Sequence, residues 1–189
     1  MKLRTVVSIV VALMLAASLS RAADDNEKDR QKIEKMAAQT LQDLYKLQPA
    51  SKAAIQKSAG YAVFNNTGTN ILLLSTARGA GIAVNSKTKQ ETFMKMVSAG
   101  GGLGIGVKDY RVIFIFQNEG ALNQFLNSGW SGSAQADAAA KAGDKGGAYS
   151  GAEEMSPGVW VYQITKNGLA LQATLQGTKY YKNDDLNKK

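Results

Sequence analysis

From Gln31 to Leu47 the positions Ile33, Met36, Ala37, Thr40, Leu41, Leu44 and Leu47 recur at helical spacing. At about 100° per residue they fill one arc of roughly 140°, which predicts an amphipathic helix. Lys28, Lys32, Lys35 and Lys46 gather in one narrow sector on the other side, with Glu34 and Asp43 towards the borders. The polar face of this helix is therefore basic. Pro49 suits the first turn of a second short helix, "ASKAAIQKSA", with Gly60 placed to stop it.

After Gly60 the period falls from 3.6 to 2. The runs "YAVFNN", "NILLLSTA", "GAGIAV", "ETFMKMVSAG", "YRVIFIFQ", "GVWVYQIT" and "LALQATLQGT" are short and mostly rich in β-branched or aromatic residues. Turn signals separate them, among them Asn65-Asn66-Thr67-Gly68 and Asn85-Ser86-Lys87. Lys166-Asn167-Gly168 is the sharpest, because Asn-Gly accepts the positive φ of a two-residue hairpin turn. It predicts that Val159–Thr165 and Leu169–Thr178 are adjacent antiparallel strands. "NEGALNQFLNSG" reads as a further helix, capped by Asn118, with Leu122, Phe125 and Leu126 inside and Gly129 as its stop. The segment 131–150 is rich in Ala and Gly and reads as a loop or a small-residue strand. Helices followed by strands, without alternation, indicate an α+β fold: N-terminal amphipathic helices packed on a glycine-rich, mainly antiparallel β-sheet or barrel-like β-structure.

Composition divides the 189 residues differently. Lys2 and Arg4 precede an apolar stretch from Val6 to Leu15, and Ser20-Arg21-Ala22 offers the small residues that signal peptidase needs. Residues 1–22 are thus expected to be an export signal, too short in its apolar part to span a bilayer comfortably. Residues 23–189 form a single domain, helical over 26–59, mainly β over 60–181, with a short polar tail at 182–189. Loss of Lys2, Arg4 and Arg21, with no acid lost, lowers the formal charge from +8 to +5. The expected location is periplasmic or envelope-associated.

The absence of Cys and His excludes disulfides, thiol and imidazole nucleophiles, and the common zinc and copper sites. No cofactor or metal is expected. The stretch "SAGGGLGIGVKDYRVIFIF", Ser98 to Phe116, resembles a phosphate loop only superficially. Ile105 and Val107 stand where a dinucleotide fingerprint needs its third glycine, and Val107-Lys108 replaces the Lys-Ser/Thr of a Walker loop. The strand "YRVIFIF" follows where either motif requires a helix. Alternation places Leu103, Ile105 and Val107 on one strand face and Gly102, Gly104 and Gly106 on the other, a bare face suited to close approach. Gly79, Gly81 and Ala83 repeat the device.

"SAGYAVF", "GGGLGIGVKDYRVIFIF", "NQFLNSGWSGSAQADAAAKAG" and "VYQITKNGLALQATLQGTKYYKNDDLN" together resemble the SYLF domain family, over roughly Ala37 to Asn187. The resemblance implies a mixed fold without a catalytic site that binds acidic phospholipids. In eukaryotic members these are phosphoinositides, engaged largely through an N-terminal basic amphipathic helix. Carried over, Lys32, Lys35 and Lys46, with Lys28 in the same sector, would meet headgroups. Ile33, Met36, Leu41 and Leu44 would enter the interface. For an exported chain the corresponding lipid is a bulk anionic phospholipid.

Spacing alone gives this helix a second role, covering the sheet. Two other functions compete with lipid binding. Trp130, Trp160, Tyr180 and Tyr181 could anchor a partner in an interaction or structural envelope module. Asp109, Asp137, Glu153 and Glu154 could serve a carboxylate hydrolase if two of them converged in a pocket. Nucleic acid is not an expected partner, since the basic residues are scattered and no stacking motif is present.

Overall fold

The computed structural model describes residues 2–71, 74–101, 109–131, 149–170 and 177–188, and no side chains before Asp24. Helix α1 runs unbroken from Lys2 to Leu47. The segment expected as an export signal and the expected amphipathic helix are therefore one helix here. Helix α2, Ala50–Lys57, starts after Pro49 (φ −57°) and ends at Ser58, whose ψ of 157° turns the chain into strand β1. Gly60 opens that strand instead of stopping the helix. Helix α3, Glu119–Ser128, is capped as expected: Asn118 Oδ1 accepts from the Ala121 amide at 2.9 Å, and Gly129 follows at φ 70°.

Nine strands are described: β1 Gly60–Ile71, β2 Leu74–Asn85, β3 Glu91–Gly101, β4 Asp109–Phe116, β5 Trp130–Ser131, β6 Glu153–Ser156, β7 Val159–Thr165, β8 Gly168–Leu169 and β9 Thr178–Lys182. They form one antiparallel sheet curled into a half-barrel, in the order β5-β9-β3-β2-β1-β4-β7-β6, with β8 on β7. The α+β architecture is as expected. A fourth helical turn, α4 at Asp184–Asn187, occupies the polar tail.

Three further local expectations fail. Asn65–Gly68 is strand, not turn, because β1 is hydrogen-bonded along both edges there: Asn66 pairs with Gly79 on one side and Tyr110 on the other. "NILLLSTA" is not one strand, since Ile71 ends β1 and Leu74 begins β2, and the two residues pair with each other. The Lys166–Asn167 turn does form, with Thr165 opposite Gly168 at φ 103°. Yet Thr178 does not extend that hairpin. It begins β9 and pairs with Ser98 in β3 on the far side of β1. The expected bare face at Gly102, Gly104 and Gly106 lies outside the described residues, as does segment 132–148.

Both faces of the sheet are covered. Ala62, Phe64, Val112, Phe114, Phe116, Val161, Met94, Met96 and Tyr180 form one core beneath Leu122 and Phe125 of α3. Val63, Ile82, Phe93, Ile113, Ile115, Trp160 and Tyr162 form the other beneath α1, α2 and α4. This explains why β4 and β7 read as unbroken apolar runs, for a strand buried on both faces has no polar side to show. At Gly81 a Cβ would overlap the Phe64 ring and the Val63 carbonyl, and at Gly79 the Asn65 carbonyl. The bare positions of β2 thus serve close packing within the sheet.

Candidate functional site

Helix α1 lies on its sheet face through the stripe predicted for it. Ile33, Ala37 and Leu44 are buried and Met36 and Leu41 half-buried, while Leu47 protrudes. Thr40, fully buried, satisfies its hydroxyl by donating to the Met36 carbonyl at 2.8 Å. Polar contacts fix the docked part of the helix on either side of this stripe. Arg111 Nη1 donates to Asp43 Oδ2 at 2.9 Å, and Arg30 donates through Nε and Nη2 to the carbonyls of Leu186 and Lys188, each at 2.9 Å. Helix α4 is itself tied to β3, because Asn187 accepts from the Phe93 amide at 2.9 Å and donates to its carbonyl at 2.7 Å.

Between α1, α4 and strands β1, β2, β3 and β9 lies a cleft of about 680 Å³. Its apolar side-chain lining includes Ile33, Met36, Ala80, Val97 and Leu186, and its charged lining is Lys32, Arg78, Lys95 and Asp29. The cations arrive by strand geometry. Arg78 and Ala80 alternate with the glycines of β2, and Lys95 and Val97 with the methionines of β3, so each pair shares the α1 side. Lys32 contacts Asp29 at 3.0 Å and Lys95 contacts Asp185 at 3.5 Å. Further along the same α1 interface the charge reverses. Burial, then the nearby Glu34 of α1, raises the carboxyl pKa of Glu91 at the start of β3.

The structure brings Lys32, Ile33 and Met36 to this cleft and leaves the other candidates apart. Lys28, Lys35 and Lys46 lie exposed on the outer side of α1, Lys28 paired with Asp24 and Lys46 within 4.0 Å of Asp43. Leu44 is enclosed, so it reaches no interface while α1 remains docked. Arg78, Lys95, Val97 and Asn183 were missed, and Tyr181 was named only as a partner anchor. The sequence signal for the cations was slight: Arg78 is the single charged residue of β2, and Lys95 alternates with Met94 and Met96 in β3.

The competing candidates fare unequally. Trp130, Trp160 and Tyr180 are buried and Tyr181 half-buried. Trp130 and Tyr180 meet in the aromatic core with ring centres 5.9 Å apart and planes tilted by 59°, and Trp160 stacks on Tyr149 at 4.6 Å. Of the acids, Asp137 and the side chain of Asp109 lie outside the described residues. Glu154 uses Oε1 to accept from the Gly158 amide at 3.2 Å, and neither it nor Glu153 lines the cleft.

Fold and site define a mixed α+β module with an aromatic core on one face and a basic-rimmed apolar cleft on the other. Residues 97–189 match the Ysc84 family, described as a Las17-binding protein actin regulator. Over 156 residues the chain is 36% identical to "Beta cell expansion factor A" of Aeromonas veronii; the stretch is 82% of this chain and 57% of that relative. The chain belongs to the Ysc84, or SYLF, family. It spans little more than half the length of the curated relative it matches.

Proposed function

We propose that this protein is a non-enzymatic envelope module that binds anionic phospholipid surfaces reversibly through the basic outer side of α1. The observation that carries the reading is the sector formed by Lys28, Lys35 and Lys46, with Lys32 at its border with the cleft, all exposed on a helix whose opposite stripe is anchored to the sheet. Their carboxylate neighbours are exposed too, and such surface pairs are worth about 0–1 kcal/mol. Exchanging them for lipid phosphates therefore costs little. Each lysine brought near an anionic leaflet contributes about 1 kcal/mol, which gives weak, salt-sensitive attachment. Insertion of Ile33, Met36, Leu41 and Leu44 is a separate step that requires α1 to leave the sheet. Of the expected anchors of a protein-interaction module, Trp130, Trp160 and Tyr180 are buried and Tyr181 alone is half-buried.

The test is co-sedimentation with phosphatidylglycerol-containing vesicles over a salt series, comparing the chain with a Lys28→Glu, Lys35→Glu, Lys46→Glu variant. The expected result is pelleting of the parent at low salt, falling as salt rises, and its loss in the variant. Equal pelleting of both proteins contradicts the helix mechanism, and pelleting of neither contradicts lipid binding. The reading also places the protein outside the cytoplasm after cleavage behind Ala22. The mature N-terminus is then Ala23, and an exported chain still beginning at Met1 refutes that part.

A further inference from the structure

The cleft beneath α1 has features that surface attachment does not use. Among the described residues only Leu47 and Val97 are large apolar side chains left exposed, and Val97 lines this cleft. Three cations, Lys32, Arg78 and Lys95, face one carboxylate, Asp29. Lys32 and Lys95 have carboxylate neighbours, whereas Arg78 is exposed and has no ion pair among the described residues. Asn183, also in the wall, is 7% exposed, and its Oδ1 has no hydrogen-bond partner. A buried acceptor without a donor is costly, and the soft amide torsion of Asn lets it turn towards a donor placed in the cleft.

We infer that the cleft binds one molecule of a single-chain anionic amphiphile whose phosphate headgroup carries a hydroxyl, of the lysophosphatidylglycerol kind. The phosphate meets Arg78 with Lys32 and Lys95, a headgroup hydroxyl donates to Asn183 Oδ1, and the acyl chain lies along Ile33, Met36, Ala80 and Val97. The volume of about 680 Å³ is within the range of about 300–1,000 Å³ usual for small-molecule sites. A guanidinium suits phosphate because its planar fork gives two parallel hydrogen bonds. The inference rests on the reading that the protein meets anionic lipid, but it concerns a lipid monomer inside the fold and not a bilayer beside it.

The test uses the full chain and lysophosphatidylglycerol below its micelle-forming concentration, with stoichiometry from native mass spectrometry and affinity from calorimetry. One molecule should bind per chain, with glycerol phosphate and lysophosphatidylcholine each at least about tenfold weaker, since one lacks the chain and the other the net charge. Arg78→Glu and Ala80→Trp should each weaken binding by at least about tenfold, the first by reversing charge and the second by filling the floor. Arg78→Glu changes an exposed strand residue and keeps the test valid if Ala80→Trp fails to fold. Unchanged affinity in Arg78→Glu, or equal binding of the two lysolipids, overturns the site. If vesicles still pellet the chain but no lysolipid binds, the cleft inference fails alone; if neither associates, both readings fail.

Discussion

The two faces of one sheet serve different ends. On the α3 side Phe64, Phe114, Phe116, Phe125, Trp130 and Tyr180 interlock, with Phe114 meeting Phe64, Phe116, Phe125, Trp130 and Tyr180 at 4.9–6.2 Å. On the α1 side aliphatic residues cover the middle, and towards β9 the helix and sheet separate into the charged cleft. Alternate residues of the same strands build both, so Met94 and Met96 of β3 enter the aromatic core while Lys95 and Val97 face the cleft. The difference teaches that strand parity sends neighbouring residues of one strand to a closed core and to a cleft.

Substitutions should break this comparison unequally. Phe114→Ala removes the ring at the centre of the aromatic cluster, and truncation of a buried Phe costs about 3–5 kcal/mol. Denaturant unfolding should show the midpoint falling by a large fraction of the total stability. Met36→Ala, at the half-buried edge of the cleft, should cost about 1 kcal/mol. Similar losses from both would show that the cleft wall is as structural as the core.

Alkaline pH sharpens the same contrast. Full burial, then the neighbouring Tyr110, holds the Tyr180 phenol well above its ordinary pKa of 10. On the other face burial, then Tyr149, raises Tyr162 to about 12. Above pH 10 the unfolded chain loses these protons while the folded chain keeps them, so stability is complete below pH 10 and falls as pH rises. Unfolding measured between pH 8 and 11 should show that decline. Tyr180→Phe should lessen it and change little at neutral pH, because the Tyr180 hydroxyl has no hydrogen-bond partner. An unaltered alkaline decline in Tyr180→Phe would place the effect elsewhere.

Local chemistry was legible in the sequence. Asn118, Pro49, the Asn85 turn and the Lys166–Gly168 hairpin all act where their side chains or backbone preferences place them. Asn85 Oδ1 accepts from the amides of both Lys87 and Thr88 at 2.9 Å. Asn65–Gly68 misled because pairing on both edges outweighs turn propensity, which is a local preference only. The cleft was illegible for a related reason. Lys32, Arg78, Lys95 and Asn183 meet through a docked helix and the β3–β9 register, in which Lys95 pairs with Tyr181 from far along the chain. Periodicity located the α1 stripe but could not decide its partner, and the sheet takes it. Nor could composition reveal that the polar tail folds back to hold Arg30.

The most direct measurement is hydrogen exchange of the full chain with and without phosphatidylglycerol vesicles at low salt, read by mass spectrometry over α1 and α3. The account predicts a change confined to residues 24–47 and their contacts in α4, with 119–128 unaffected. Protection gained in 119–128 with none in 24–47 would contradict it, because the closed aromatic face would then be the one that meets the lipid.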